Sequence, residues 1–318
     1  MHKIYTTDYD YPDLEIEKNI YKNYPVEFIA LKCTSEEELI DKAPDAEGLH
    51  NQYLKLSKKT FSSLKKLIVV ARYGVGLDHI NLEDAKKYNI IVRNVPDYCT
   101  EEVASHSLAM ILAFLRKLKR SDLMVRKGRW DFSKLRPIHD FSYYSIGILG
   151  FGRIGRSLGK KLIDLGFKKL YIYDIDSSVV DRVDYKDYIK FAPDINSILK
   201  KSDFLILNLS LTKDSYHLLN KKTLKLLKKD VTIINTSRGS VINENDLYDF
   251  LKINPDANAG LDVLEVETPN INKTKFFELD NVIFSPHIAF YSEESLIKLK
   301  QNVTYNILEV LINNFKRS

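Results

Sequence analysis

The chain alternates between short apolar runs and stretches in which apolar residues recur every three or four positions. Short apolar runs predict strands buried in a parallel sheet, and the three- to four-residue spacing predicts helices that cover such a sheet. In the first hundred residues this pattern predicts strands over 3–5, 26–30, 67–71 and 90–92, and helices over 35–42 and 81–88. Such an alternation is typical of a small parallel α/β domain.

The same alternation returns after residue 145 and continues nearly to the end of the chain. It predicts strands over 146–149, 170–173, 203–208, 231–235, 259–263 and 282–285, and helices over 153–165, 195–200, 221–227, 244–252 and 293–313. The fold class that follows is α/β, with two doubly wound parallel-sheet domains. The second domain is inserted into the first if the closing helix packs on the N-terminal part.

One long helix is predicted between the two halves, beginning at Thr100 and reaching Leu118. It carries two apolar stripes, one through Val103, Ser107, Met110, Ile111, Phe114 and Leu118 and one through Ala104, Leu108, Leu112 and Leu115. A helix that is apolar on two sides must be covered on two sides. We therefore expect it to lie between domains or between subunits, with a homodimer as a hypothesis, and we interpret His106 on it as a structural residue.

The most informative stretch follows the strand at 146–149 and reads G-F-G-R-I-G. Gly150 permits a tight turn, Gly152 lets the backbone approach a pyrophosphate, and Gly155 lets the next helix pack closely on its strand. Asp174 ends the following strand, where a carboxylate can accept both ribose hydroxyls of NAD and repel the 2′-phosphate of NADP. The cofactor-binding residues predicted here are Gly150, Gly152, Arg153, Ile154, Gly155 and Asp174. A glycine-rich turn in some other α/β domain is the alternative.

Composition and charge narrow the classes of partner. The net charge is +5, from 48 basic and 43 acidic residues, so neither nucleic-acid nor membrane binding is predicted. The two cysteines, Cys33 and Cys99, match no disulfide framework or metal-binding spacing. The N-terminus is polar, and the longest apolar run, 108–115, is too short to cross a bilayer, so we expect a cytoplasmic protein.

Three residues suited to chemistry follow strands of the second half: Arg238, Glu267 and His287. Ligands of open α/β sheets bind beyond the carboxyl ends of the strands. A guanidinium there can bind a carboxylate bidentately and polarise an adjacent carbonyl. His287 can donate a proton to the alkoxide that hydride transfer leaves, and a carboxylate on its other nitrogen would fix the tautomer. The alternatives are an arginine in a surface turn and a loop histidine beside an unrelated glutamate.

Six stretches of the chain resemble the D-isomer-specific 2-hydroxyacid dehydrogenases, over nearly its full length. They are R-Y-G-V-G-L-D-H-I (72–80), N-V-P-D-Y-C-T-E-E-V-A (94–104), G-I-L-G-F-G-R-I-G-R (147–156), N-T-S-R-G-S-V-I (235–242), G-L-D-V-L-E-V-E (260–267) and S-P-H-I-A-F-Y-S (285–292). The second and sixth are most similar to the C-terminal-binding-protein-like subgroup. The resemblance implies a Rossmann NAD-binding domain at 99–288, inserted into a flavodoxin-like substrate domain formed by 1–98 and 289–318.

The resemblance also implies a role for each motif residue. The catalytic residues would be Arg238, which orients the substrate, Glu267, which orients the histidine, and His287, the general acid/base. Further cofactor contacts would be Thr100, Thr236 and Asp262, the last at the nicotinamide carboxamide. The substrate-binding residues would be Arg72, Tyr73, Gly74, Val75, Gly76 and Phe290, with the backbone of Val75 and Gly76 at the substrate carboxylate.

The function implied is NAD(H)-dependent interconversion of a small 2-keto acid and a D-2-hydroxy acid, in a cleft between the domains. The competing hypothesis is a NAD(H)-sensing dimeric binding protein on the same fold, in which turnover is incidental. Retention of all three catalytic residues argues against that hypothesis. Phe290 stands where many members of the family have glycine, so we expect it to narrow the substrate pocket.

Overall fold

The computed structural model describes residues 1–267 and 274–312, which fall into two units. Unit 1 comprises Met1–Cys99 and the C-terminal stretch that begins at Ser292, and unit 2 comprises Thr100–Tyr291. The chain leaves unit 1 once and returns to it once, so unit 2 is an insertion. The domain boundaries expected from the sequence, after 98 and after 288, lie slightly earlier in the chain.

Unit 1 contains a five-stranded parallel sheet in the order β2-β1-β3-β4-β5. The strands are β1 (His2–Thr6), β2 (Val26–Ala30), β3 (Gly48–Asn51), β4 (Val69–Arg72) and β5 (Ile91–Arg93), and the helices are α1 (Glu15–Tyr21), α2 (Glu36–Lys42), α3 (Lys58–Ser63) and α4 (Leu82–Lys87). This strand order is flavodoxin-like. The side chain of Ser35 accepts a hydrogen bond at the start of α2, and that of Asn81 does so at the start of α4. These caps explain why the starts of both helices could be predicted from the sequence.

Strand β3 and helices α1 and α3 are missing from the sequence-based prediction. All four residues of β3 are buried, although two of them, His50 and Asn51, are polar. The amide of Asn51 donates to Thr7 Oγ1 at 3.1 Å, and His50 Nε2 lies 2.6 Å from the Tyr21 hydroxyl. Buried polar groups need such partners. Because these partners are distant in sequence and β3 itself has no apolar run, the local pattern does not predict this strand.

Unit 2 contains a seven-stranded parallel sheet in the order β12-β11-β10-β9-β6-β7-β8. The strands are β6 (Ser145–Leu149), β7 (Lys169–Tyr173), β8 (Ile189–Phe191), β9 (Phe204–Leu207), β10 (Thr232–Asn235), β11 (Asn258–Leu261) and β12 (Val282–Phe284). Strands β6 to β11 have the order of a Rossmann sheet, and β12 adds one more strand at the edge beside β11. The winding reverses between β6 and β9, so the crevice for a dinucleotide lies at the carboxyl ends of these two strands.

The helices of unit 2 are α5 (Thr100–Leu115), α6 (Leu118–Arg126), α7 (Arg153–Asp164), α8 (Ile195–Lys201), α9 (Lys221–Leu224) and α10 (Glu244–Ile253). The prediction of one helix from Thr100 to Leu118 is wrong at its end. Lys117 adopts a left-handed conformation with φ of +53°, which interrupts the helical hydrogen bonds. Leu118 therefore begins a separate helix, and its side chain is 56% exposed rather than part of an apolar stripe.

The closing helix, α11 (Glu293–Leu311), belongs to unit 1. Ser292 caps it together with Ser295, and Leu299, Val303 and Ile307 are buried along one face. A Cβ on Gly48 would lie 3.1 Å from the Ile307 side chain, so the glycine lets this helix approach β3 closely. The predicted helix end at 313 lies outside the described residues. No helix within 1–267 or 274–312 has both the length and the apolar composition needed to cross a bilayer.

Candidate active site

The glycine turn after β6 has the geometry that a dinucleotide fingerprint requires. Gly150 has φ of +86°, and a Cβ there would lie 2.4 Å from the Asn208 carbonyl oxygen. A Cβ on Gly155 would lie 2.4 Å from the Gly150 carbonyl oxygen, so α7 packs directly against the turn. Gly152 differs, because apart from its own neighbours in the turn no atom of residues 1–267 or 274–312 lies within 4 Å of its Cβ position. The space above Gly152 is open to a ligand, as expected where a pyrophosphate approaches the backbone.

Helix α7 starts directly after this turn, and its N-cap residue, Gly152, has no side chain to bond to the first N–H groups of the helix. Its first N–H groups and the positive end of its dipole can therefore bind an anion. Arg153 is exposed on the first turn of the helix, and Ile154 is half-buried.

Asp174, at the end of β7, is linked to the same turn. Its Oδ2 accepts a hydrogen bond from the Phe151 N–H at 2.7 Å, and its Oδ1 accepts from the Asp176 N–H at 3.0 Å. The carboxylate that the sequence predicts at the adenosine ribose is thus held beside the turn predicted at the pyrophosphate.

Asn208 is a residue of this crevice that the sequence analysis missed. It follows β9 at the point where the winding of the sheet reverses, next to Gly150. Its Nδ2 is buried and, within the described ranges, has no hydrogen-bond partner. A buried donor without a partner costs free energy. Together with the open space at Gly152, this donor indicates that the crevice fits a polar ligand such as NAD.

Arg238 follows β10 in a loop that Asn235 holds in shape. The Asn235 amide donates to the Arg238 carbonyl at 2.9 Å, and its Oδ1 accepts from the Ser237 N–H at 3.1 Å. Thr236, between them, is buried, and its Oγ1 lies 2.8 Å from the Ser107 hydroxyl of α5. The Arg238 side chain remains half-exposed at the end of the strand.

Asp262 lies at the next strand end, because β11 pairs with β10 in parallel. It is 2% exposed. Its Oδ1 accepts from the Ser285 hydroxyl at 2.5 Å and from the Ile288 N–H at 3.0 Å, and its Oδ2 accepts from the Ala289 N–H at 2.9 Å. The carboxylate that the resemblance assigns to the nicotinamide therefore also fixes the loop that carries His287.

His106 joins this network from α5. Its Nε2 lies 2.8 Å from Ser285 Oγ and 3.7 Å from Asp262 Oδ1. Because Ser285 donates its hydroxyl proton to Asp262, the serine oxygen is left to accept from the His106 Nε2–H. His106 thus helps to hold the loop beyond β12, and neither it nor Ser285 stands out in the sequence from ordinary helix and strand-end residues.

His287 and Glu267 meet, although 20 positions separate them. His287 Nδ1 lies 2.8 Å from Glu267 Oε2. His287 adopts a left-handed conformation with φ of +51°, which is rare for a residue with a side chain. The pairing occurs because Glu267 follows β11 and His287 follows β12, which are neighbours in the sheet. Phe290 stands edge-on to the His287 ring, with 6.1 Å between ring centroids and an angle of 85°.

Thr100 and the loop from Arg72 to Gly76 were also predicted as site residues. Thr100 is the first residue of α5. In unit 1, Gly74 has φ of +130° and its Cβ position lies 1.6 Å from Arg72 Nη1, so the guanidinium folds over the glycine. Val75 is exposed and Gly76 half-exposed. The Tyr73 side chain is 2% exposed, and its hydroxyl donates to Glu17 Oε1 at 2.9 Å inside unit 1.

Unit 2 therefore brings together, along neighbouring strand ends, a turn that fits a dinucleotide, a guanidinium, and an imidazole bonded to a carboxylate. This set of groups can bind a nicotinamide cofactor, bind a carboxylate and exchange a proton with an oxygen atom.

Comparison with known proteins agrees with this chemistry. Residues 108–289 match the family model described as the D-isomer specific 2-hydroxyacid dehydrogenase NAD binding domain. The chain is 36% identical over 260 residues to a glyoxylate reductase of Thermococcus litoralis, an alignment that covers 80% of this chain and 77% of that protein. It is 37% identical over 257 residues to a glyoxylate reductase of Pyrococcus horikoshii, which covers 77% of this chain and 74% of that protein.

Among solved structures, the fold resembles the D-lactate dehydrogenase of Aquifex aeolicus complexed with NAD and lactic acid. The TM-score is 0.84 at 27% sequence identity, and the match covers 96% of this chain and 94% of the other.

Proposed function

This chain belongs to the D-isomer specific 2-hydroxyacid dehydrogenases, NAD-dependent enzymes that interconvert 2-oxo and 2-hydroxy acids, and we propose that its substrate is a small 2-oxo acid of the glyoxylate class. The observation that carries the catalytic assignment is the 2.8 Å contact between His287 Nδ1 and Glu267 Oε2. The alternative of a NAD(H)-sensing binding protein is not favoured, because the relatives are dehydrogenases and reductases.

His287 is the general acid/base of this proposal. Its Nδ1 is bonded to Glu267, so the ring exchanges its proton with the substrate oxygen through Nε2. During reduction of the 2-oxo acid, Nε2–H protonates the oxygen on C2, and the Glu267 carboxylate stabilises the imidazolium form that donates. During oxidation, the neutral ring accepts the same proton.

NAD(H) supplies or accepts the hydride at the substrate C2 when it is bound. The residues proposed to hold it are Gly150, Gly152, Arg153, Ile154, Gly155, Asp174, Thr100, Thr236 and Asp262, with Asn208 as an addition. Arg238 is proposed to bind the substrate carboxylate and polarise the adjacent carbonyl. The backbone of Val75 and Gly76 is proposed as a further contact of that carboxylate.

The size of the substrate is inferred from Phe290. Its ring stands edge-on to the His287 ring and so limits the space for a substituent on C2. The relatives named above are glyoxylate reductases, and glyoxylate carries only hydrogen at that position. Together these observations favour glyoxylate and pyruvate over 2-oxo acids with aromatic or phosphorylated tails.

The test is NADH oxidation by the purified protein with glyoxylate, pyruvate, hydroxypyruvate, phenylpyruvate and a phosphorylated 2-oxo acid. We expect kcat/KM to be highest for glyoxylate and pyruvate, with pyruvate yielding D-lactate.

Phe290→Ala should raise kcat/KM for phenylpyruvate by about 10-fold or more, the size of effect that a change in pocket volume produces. Phe277→Ala, at an exposed phenylalanine of the same unit, is the matched control. Turnover of none of the five acids, or a preference for the largest, would contradict the proposal.

A homodimer is proposed from the surface of unit 2. Helix α6 has no buried residue, and the segment after it exposes 89% of Trp130 and 70% of Phe132. Clusters of exposed large apolar side chains mark association surfaces. Light scattering should give twice the mass of the chain, and the double variant Trp130→Ser/Phe132→Ser should shift the equilibrium toward monomer. A monomeric wild-type protein at micromolar concentration would rule the homodimer out.

A further inference from the structure

Three polar residues of unit 2, His217, Glu244 and Glu265, form a cluster that the proposed chemistry does not use. Glu265 Oε1 accepts hydrogen bonds from His217 Nε2 at 3.0 Å and from the Glu244 N–H at 3.1 Å. In return, the Glu265 N–H donates to Glu244 Oε1 at 2.5 Å. The three residues come from the loop after β9, the first turn of α10 and the segment after β11, so the cluster joins distant parts of the chain.

The contacts of His217 define its tautomer. The Asn243 amide Nδ2 lies 3.4 Å from His217 Nδ1, and an amide nitrogen can only donate. Nδ1 is therefore the acceptor, and Nε2 carries the proton that it donates to Glu265. Burial raises the pKa of the Glu244 carboxyl; the hydrogen bond from the Glu265 N–H acts against this rise, and the charge of Glu265 adds to it. Two neighbouring carboxylates repel each other, and donors such as His217 Nε2–H offset that repulsion.

The cluster also joins the loops that carry Arg238 and Glu267. His217 has φ of +49°, and its N–H donates to the Ser240 carbonyl at 2.8 Å. A Cβ on Gly239 would lie 1.9 Å from the Leu264 carbonyl carbon and 2.4 Å from the Glu265 nitrogen. The backbone after Arg238 therefore packs directly on the backbone that leads to Glu267. His217 is hydrogen-bonded to the first segment through the Ser240 carbonyl and to the second through the Glu265 side chain.

We propose that His217 and Glu265 are positioning residues, which hold the segment after β11 so that Glu267 stays on His287. The proposal rests on the proposed function. Glu265 lies two residues before Glu267, on a segment with no regular secondary structure. The bonds of Glu265 help to fix the path of that segment, and a displacement of about 1 Å at a catalytic group can cost about 100-fold in rate.

The experiment compares His217→Asn and Glu265→Ala with the wild-type enzyme. Asn tolerates the positive φ of position 217 but does not reach Glu265. We expect kcat for glyoxylate to fall by about 10- to 100-fold, while KM and the Kd of NADH change by less than about 3-fold. Glu265→Gln keeps an acceptor oxygen and should recover most of the rate. His2→Asn is the matched control, because it breaks a similar histidine–glutamate pair, with Glu47, in unit 1.

Two further readouts separate positioning from a general loss of structure. In the Glu267→Gln background, His217→Asn should reduce kcat by less than about 2-fold, since its effect acts through Glu267. In spectra of ¹⁵N-histidine-labelled protein, the ring signals of His287, identified by their loss in His287→Asn, should move in His217→Asn and not in His2→Asn.

The proposal fails if kcat is unchanged, if its loss is equally large in the Glu267→Gln background, or if the His287 signals do not move. Absence of turnover by the wild-type protein would overturn the proposed function instead, and the ring signals would still test the positioning.

Discussion

The backbone N–H of His287 donates to the backbone carbonyl of Asp262 at 2.8 Å, and the Asp262 carboxylate accepts from the two N–H groups that follow His287. One buried aspartate thus holds a histidine whose φ of +51° is unfavourable for a residue with a side chain. The orientation of the proposed acid/base therefore depends on Asp262, which directly follows β11, in addition to the 3.1 Å hydrogen bond from the His287 N–H to the Ser285 carbonyl in the histidine's own loop.

Asp262→Asn should misplace this loop. The substitution turns one acceptor oxygen into a donor that faces the N–H groups of Ile288 and Ala289 or the Ser285 hydroxyl. We expect a loss of about 1–3 kcal/mol in the free energy of unfolding and a fall of about 10-fold or more in kcat. Urea denaturation and NADH oxidation measure the two effects. Asp256→Asn, at an exposed aspartate of the same unit, should change neither, and an Asp262→Asn enzyme with wild-type kcat would contradict the role.

His287→Asn tests proton transfer with the least backbone disturbance, because asparagine tolerates a left-handed conformation. General acid/base groups contribute about 100- to 10,000-fold, so we expect kcat to fall within that range while the Kd of NADH stays the same. Glu267→Gln should cost less, since the imidazole remains. Isothermal titration with NADH and steady-state kinetics separate binding from chemistry. Retention of a third or more of wild-type kcat in His287→Asn would exclude this histidine as the acid/base.

Asp174→Asn tests cofactor choice. The amide oxygen can still accept from the Phe151 N–H, so the turn is kept while the negative charge beside the ribose is removed. We expect the ratio of kcat/KM for NADH over NADPH to fall by about 10-fold, the effect of roughly 1.4 kcal/mol. Asp176→Asn removes a neighbouring charge that already pairs with Arg182 and serves as the control. An unchanged ratio in Asp174→Asn would mean that another residue excludes the 2′-phosphate.

Lys300→Met tests a buried ion pair in unit 1. Lys300 Nζ lies 3.6 Å from Glu17 Oε2, and Glu17 is fully buried. Removal of one partner from a buried pair costs about 3–5 kcal/mol. Lys42→Met, at an exposed pair with Glu38, should cost less than about 1 kcal/mol.

The cost in Lys300→Met should depend on pH. Burial raises the pKa of the Glu17 carboxyl above its ordinary value of 4.5. The folded state therefore binds more protons than the unfolded state just above pH 4.5, and stability falls as pH rises through the folded pKa. Denaturation of Lys300→Met should show a larger loss at pH 8 than at pH 4.5, and Glu17→Gln in the same chain should remove that difference. A loss that is equal at both pH values would show that Glu17 is not the cause.

The elements that the sequence predicted correctly are those with local signals. Strand β6, the glycine turn and α7 follow from an apolar run, glycine spacing and helical periodicity within some twenty residues. The starts of α2 and α4 follow from Ser35 and Asn81, because a capping side chain bonds to backbone within its own first turn. Such interactions are complete before any distant part of the chain is placed.

Errors arose where the deciding partner is distant or the backbone makes an unusual turn. The polar strand β3 is buried, and Thr7 and Tyr21 bond to its side chains. Burial lowers the pKa of His50, a residue of this strand, to about 3. The helix from Thr100 ends early because Lys117 takes a left-handed conformation. Lysine has no preference for that conformation, so the sequence does not predict the helix end there.

The sequence by itself determined the fold class, the dinucleotide turn and the three residue types proposed for catalysis, since each depends on short-range spacing or on the chemistry of a single side chain. Only the tertiary structure decided that Glu267 bonds to His287, that Asp262 and His106 support the histidine's loop, and that His217 bonds to Glu265. Glu267, Asp262 and His287 meet because β11 and β12 are neighbours in one parallel sheet, and His217 reaches Glu265 from the loop after β9 in the same sheet. A parallel sheet brings the carboxyl ends of its strands to one edge regardless of how many residues separate them along the chain, and His106 is added from α5.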